Sequence, residues 1–203
     1  MKIVISPSFI ITLLSLFLTS EVKFVLMMLF SAFVHEVGHI VTLKLFRVRI
    51  KSLELGLFGG TINLERKLIS YKKEIAVSLS GSFVNLIFAL IFFFILRQGF
   101  DTDIFFLFLS NLFYALFNLL PITNLDGGNA LLSLLSMKKE LYDAEKQASI
   151  ISKITLFLLA LGGVNLVLIS GFNVSLFIIV LLLYAESSEN HIISGYKFCR
   201  KTS

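Results

Sequence analysis

The sequence predicts an all-α polytopic membrane protein of about six transmembrane helices, with a small membrane-associated β-hairpin over about residues 47–65. Three observations carry that prediction. Of 203 residues, 57% are hydrophobic and 15% charged, and the mean hydropathy is +0.92. A soluble domain is about 45–50% apolar and about 25% charged, and a chain this small has too much surface to hide the excess in a water-soluble core. The apolar residues fall in runs near the roughly 20 that a helix needs to cross a bilayer, and the basic residues gather in alternate connections between those runs. The same composition excludes disorder. The single Cys199 excludes an internal disulfide framework and a Cys-rich zinc finger. One transmembrane domain is expected over residues 1–185 and a short cytoplasmic tail over 186–203.

The elements follow in chain order. Lys2-Ile3-Val4-Ile5 is β-branched and suits a short strand. The first helix runs roughly from Pro7 to Ser20; its end lacks the small-x-small pattern of a cleaved signal, so it is expected to be retained. The second span runs from about Val22 to Phe46. After it, Arg47 to Lys51 alternate basic and apolar residues, Leu53, Leu55 and Leu57 continue the period of two, and Ile62 and Leu64 repeat it after Gly59-Gly60. That pattern predicts a β-hairpin turning at the two glycines. The third span runs from about Glu74 to Leu96. The fourth, about Asp103 to Leu135, is too long for one straight crossing and is expected to break near Pro121 or Gly127-Gly128. A polar stretch over about 137–152 reads as a cytoplasmic linker helix. From Ile154 to Ala185 there is no Asp, Glu, Lys or Arg, which leaves room for two short helices turning near Ser170 to Asn173.

Charge supports this count. With the N-terminus inside, fifteen of the 18 Lys and Arg fall in cytoplasmic segments and only Lys23 and Arg97 outside; Lys44 sits in the second span. A five-span arrangement would put Lys197, Arg200 and Lys201 outside. The net charge of +5 therefore orients helices, and no nucleic-acid partner is expected.

His35-Glu36-Val37-Gly38-His39 is an HExxH motif. Residues at i and i+4 share one helix face, so both imidazoles can reach one ion, and the Glu is placed to take a proton from a metal-bound water. Two of the chain's three His lie in this motif, inside an apolar run where ionisable residues are costly and mark function by default. A hydrolytic zinc site usually has three protein ligands. His191 lies in the polar tail, so Asp126, an acidic residue in an apolar span beside Gly127 and Gly128, is the better third ligand. In the six-span arrangement, His39 and Asp126 both fall toward the cytoplasmic side at similar depth.

These residues resemble the site-2 protease family of intramembrane zinc metalloproteases. HEVGH is followed by Asn118-Leu119-Leu120-Pro121-Ile122-Thr123-Asn124-Leu125-Asp126-Gly127, matching that family's Asn-x-x-Pro-x-x-x-x-Asp-Gly, and Gly81-Ser82-Phe83-Val84-Asn85 matches its Gly-x-x-x-Asn. Leu57-Phe58-Gly59-Gly60 resembles its membrane-associated hairpin. The resemblance runs to about Ser152, and the compact layout is similar to the sporulation-type branch without its C-terminal regulatory module. It implies one Zn2+ per chain held by His35, His39 and Asp126, with Glu36 as catalytic base and acid. Asn118, Pro121 and Asn85 would shape the site or position substrate, or serve interhelical bonding and a kink. Gly81 is expected to permit close helix packing. The implied substrate is a single-span transmembrane protein, cleaved within the bilayer of the bacterial cytoplasmic membrane. A prenyl-protein (CAAX-processing) membrane protease shares HExxH but usually takes Glu as third ligand in a different motif. A non-catalytic metal-binding scaffold or transporter would not need Glu36.

Overall fold

The computed structural model of the chain describes residues 2–56, 59–64, 70–170, 180, 183 and 184. The elements are β1 (Lys2–Ile5), α1 (Pro7–Thr19), α2 (Val22–Leu45), β2 (Ile50–Gly56), β3 (Gly59–Leu64), α3 (Tyr71–Leu96), α4 (Thr102–Asn118), α5 (Asp126–Ser136) and α6 (Leu141–Ser170). Three helical segments are long and apolar enough to cross a membrane: Val22–Leu45, Tyr71–Leu96 and Leu141–Asn165. The expected first span, α1, has only 13 residues, and α4 has 17. At 1.5 Å per residue they reach about 20 and about 25 Å, less than the roughly 30 Å hydrocarbon core. The expected sixth span and the tail, with His191 and Cys199, lie almost wholly outside the described residues.

Local chemistry sets the boundaries. Ser6 caps α1 by accepting the Phe9 N–H on its hydroxyl at 3.2 Å, and Pro7 stands at the first helical position, where its missing N–H costs nothing. At the end of α2, Val48 N–H donates to the Leu43 carbonyl and Arg47 takes φ 57°. That left-handed residue turns the chain sharply into β2; a non-glycine there costs about 1–2 kcal/mol.

The sheet differs from a simple hairpin. β1 pairs parallel with β2, and β2 antiparallel with β3, in the order β1-β2-β3. Gly59 and Gly60 are strand residues of β3, opposite Gly56 and Leu55, instead of the expected turn. Gly60 serves a close approach to α2, described below; residues 57 and 58 lie outside the described residues. Ile62 packs with Leu43 and Val77, so β3 is anchored on α2 and α3.

The polar stretch expected as a separate linker is the first part of α6. No Pro or Gly interrupts Leu141 to Leu161, and Ala144, Ala148 and Ser152, spaced by four, are buried along one face. The charged residues occupy the rest of that turn-by-turn surface, so one helix serves both segments.

The fourth span does break. Pro121 has no N–H to continue α4, which stops at Asn118. Residues 119–125 form tight turns, with Ile122 N–H on the Leu120 carbonyl and Leu125 N–H on the Ile122 carbonyl at 2.8 Å each. Thr123 N–H donates to the buried Ser152 hydroxyl of α6 at 3.1 Å, and Ile122 and Leu125 pack against Leu156. α5 then starts at Asp126. A side chain on Gly127 would overlap the Leu119 and Leu120 carbonyls, and one on Gly128 the Ile122 carbonyl. Both glycines are thus required by the connector folding back on the helix start.

Candidate metal centre

His35 and His39 lie one turn apart on the buried face of α2, and both are nearly inaccessible. Asp126 enters between them from the first turn of α5, where the helix dipole favours a carboxylate. His35 Nε2 is 2.9 Å from Asp126 Oδ2, His39 Nε2 is 3.1 Å from the same oxygen, and the two Nε2 atoms are 3.2 Å apart. Among the described residues this is the group of His and acidic side chains able to hold a metal ion.

The donor set fits zinc. His39 Nδ1 faces the Val77 carbonyl at 2.8 Å, an acceptor, so Nδ1 carries the hydrogen. With Nδ1 so engaged, Nε2 is the ring nitrogen left to ligate a cation, and it converges with His35 Nε2 and Asp126 Oδ2. Ligands about 2.05 Å from a tetrahedral zinc are separated by about 3.3 Å; the three contacts, at 2.9, 3.1 and 3.2 Å, lie close to that edge.

Glu36 does not join this cluster. Its Oε1 accepts the backbone N–H of Gly60 in β3 at 2.9 Å, and its Oε2 is buried with no hydrogen-bond partner among the described residues. A side chain on Gly60 would come within 2.7 Å of the carboxylate, which is why β3 carries glycine there.

Gly81 does more than its expected packing role. A Cβ there would stand 2.5 Å from His39 Nε2 and 2.8 Å from His35 Nε2, so its bare backbone forms the floor under both rings. Gly38 completes the approach: its own Cβ would meet the Ser80 carbonyl at 2.8 Å. The two helices therefore touch backbone to backbone at the level of the histidines.

The remaining candidates sit in the surrounding framework. Asn85 is fully buried and donates to the Ser31 carbonyl at 3.1 Å, while Asn111 donates to the Ser31 hydroxyl at 3.0 Å, so α2, α3 and α4 are knotted together by three polar residues. Asn118 donates to the Tyr114 carbonyl of its own helix at 3.0 Å. Pro121 ends α4. Ser31, Asn111, Ser80 and Val77 were not singled out by sequence, and Gly60 was read only as a hairpin glycine. Gly60 and Val77 act through backbone groups, which leave no mark in residue type; Asn111, a polar residue inside an apolar run, did leave one.

Known proteins give the same picture. A model of Peptidase family M50 matches residues 23–100 and 95–162, which include His35, Glu36, His39 and Asp126. A zinc metalloprotease of Methanocaldococcus jannaschii is 29% identical over 165 residues, 78% of this chain and 46% of that protein. A relative from Synechocystis sp. is 35% identical over 115 residues, 54% of this chain and 30% of its own length. The chain thus spans about half the length, or less, of the curated relatives it matches. The solved site-2 protease from Methanocaldococcus jannaschii shares the fold, with a TM-score of 0.70 at 24% identity over 98% of this chain and 94% of that one. With the family model covering most of its length and the metal-competent cluster inside the match, the chain belongs to Peptidase family M50.

Proposed function

We propose that this protein is an intramembrane zinc metalloprotease of the site-2 type, hydrolysing peptide bonds within or near transmembrane segments of membrane proteins. The observation that carries the proposal is the convergence of His35, His39 and Asp126 inside packed apolar helices, with the Glu36 carboxylate on the adjoining residue. His35, His39 and Asp126 would hold the zinc. Its Lewis acidity lowers the pKa of water and polarises a carbonyl. Glu36 takes the water proton on Oε2, the oxygen that Gly60 leaves unpaired, and returns it to the departing amine. His39 is held in the correct tautomer by Val77.

A helical substrate hides its scissile carbonyl in an i→i−4 hydrogen bond and must be unwound before attack. β3 is an outer strand of the sheet and lies against Glu36, so its free edge suits an added, extended substrate strand. The charge distribution supports six spans with both termini in the cytoplasm and a centre opening toward the cytoplasmic side; the location proposed is a bacterial cytoplasmic membrane. A single-span protein is the substrate class proposed, in a reaction that releases a membrane-tethered segment.

Glu36→Gln keeps the side-chain shape but removes the base. It is expected to retain zinc and to lower cleavage by about 10²–10⁴-fold. Single-span proteins that accumulate in membranes of cells carrying the variant, but not the wild type, are the substrates. Full activity in the variant would refute the proposed base; wild-type zinc with unchanged membrane protein levels would favour a metal-binding scaffold.

A further inference from the structure

Glu74 is a carboxylate that the reaction above does not use. It lies in the first turn of α3, is partly buried, and accepts the Ser133 hydroxyl of α5 at 2.9 Å. Among the described residues, side chains of α5 hydrogen-bond to other helices at two places: Asp126 with the histidines, and Ser133 with Glu74.

The spacing of those two places is informative. Ser133 is seven residues after Asp126 on α5, and Glu74 is seven residues before Gly81, the floor of the histidine pair, on α3. Seven residues advance about 10 Å and return to within about 20° of the same face. Asp126 and Ser133 therefore project from nearly the same side of α5, toward one side of α3. The helices run antiparallel, with matching intervals between the two contacts.

α5 has only 11 residues, and it enters from an irregular connector instead of from a continuous helix. Its rotation about its own axis decides where the Asp126 carboxylate stands. The connector packs against the first turn of this short helix, and a second polar contact on the Asp126 face, two turns on, fixes the rotation at its far end. A carboxylate in this partly buried place has a desolvation cost that an apolar residue would not have, and it is met by the Ser133 hydroxyl on the Asp126 face of α5.

We infer that Glu74 and Ser133 form a positioning latch: their hydrogen bond sets the rotation of α5 and so holds Asp126 in register with His35 and His39. Glu74 touches no reacting atom and acts through Ser133 and Asp126. The inference rests on the proposal that His35, His39 and Asp126 bind zinc.

The test uses the full chain in detergent or lipid discs. Zinc affinity is measured by chelator competition, and the visible absorption of Co2+ put in place of zinc reports ligand geometry. Glu74→Ala and Ser133→Ala should each weaken zinc binding about 10–100-fold, the range for groups that orient metal ligands, and should weaken or shift the Co2+ bands. Glu74→Gln, whose amide oxygen still accepts from Ser133, should stay within about threefold of wild type, and the double Ala variant should be no worse than either single one, as for one shared interaction. Ser133→Ala is nearly isosteric and serves if Glu74→Ala does not fold. Wild-type affinity and bands in the folded Ala variants would overturn the latch; so would loss in Glu74→Gln equal to that in Glu74→Ala, or additive losses in the double variant. Asp126→Ala in the same titration separates the two layers. If it binds zinc like wild type, the metal assignment itself fails. If it loses zinc while the latch variants keep theirs, only the latch fails.

Discussion

The backbone N–H of Gly60 holds the Glu36 carboxylate at 2.9 Å, tying a strand of the sheet to the residue beside the metal cluster. This bond occupies Oε1 and leaves Oε2 as the free oxygen. Strand and carboxylate are thereby one mechanical unit, and the space between them admits no side chain.

Gly60→Ala tests that unit. Its methyl group would meet the carboxylate at 2.7 Å, so Glu36 must turn away or β3 must lift. Turnover on a membrane substrate is expected to fall about 10–100-fold, since a misplacement of about 1 Å at the reacting groups costs about that much. Zinc content should stay at the wild-type level, because the three proposed ligands are untouched. Metal analysis alongside a cleavage assay reads both.

Gly81→Ala is expected to act on the metal instead. The added Cβ would lie 2.5 Å from His39 Nε2, so the rings and α3 must part. Overpacking of this kind costs about 1–3 kcal/mol. Lower zinc stoichiometry and a lower thermal midpoint should appear together. Normal zinc content in the purified variant would show that the floor tolerates a methyl group and that the packing described here is not limiting.

Asn111→Ala separates helix packing from metal binding. It removes the hydrogen bond to Ser31 that joins α4 to α2. Interhelical bonds in membrane proteins contribute about 0.6 kcal/mol on average and at most about 1.7. A stability loss in that range, with zinc stoichiometry unchanged, is the expected result of unfolding and metal measurements on the same sample. Loss of zinc would instead place the Ser31 knot in the service of the centre.

Zinc itself should stabilise the fold. A ligand that binds only the native state adds about 2.7 kcal/mol at 100-fold excess over its dissociation constant. Wild type should therefore melt lower after chelation and recover when zinc is restored, and Asp126→Ala should respond to neither treatment. Equal shifts in both proteins would locate the zinc somewhere other than His35, His39 and Asp126.

The centre was legible in the sequence because ionisable residues inside apolar runs are conspicuous. His35, Glu36, His39 and Asp126 stood out for that reason, and the structure brings the three expected ligands together. Pro121 announced the break in the fourth span through its missing N–H. Other features lacked such signals. The Gly60 N–H and the Val77 carbonyl belong to groups that every residue but proline shares, so only the fold reveals their work. α6 read as two segments because its first turns carry charge; the buried Ala144, Ala148 and Ser152 show that one face continues unbroken. Gly59-Gly60 matched a turn by composition, whereas the smallness of Gly60 answers a contact with Glu36 in space. β1 was visible as a β-branched stretch, but its parallel pairing with β2 joins segments on either side of two helices and had no local trace.

The pairing of His35 with Asp126 spans 91 positions of the chain. Two of the proposed ligands and the glycine floor beneath them come from α2 and α3, while the third waits for a connector and a short helix that follow much later. As the polypeptide emerges from the ribosome, the histidine half is therefore complete well before its acid partner exists. The order of synthesis therefore sets the order of assembly: the proposed centre comes together only when α5 has been made and seated, and a partly built chain carries the histidine pair alone.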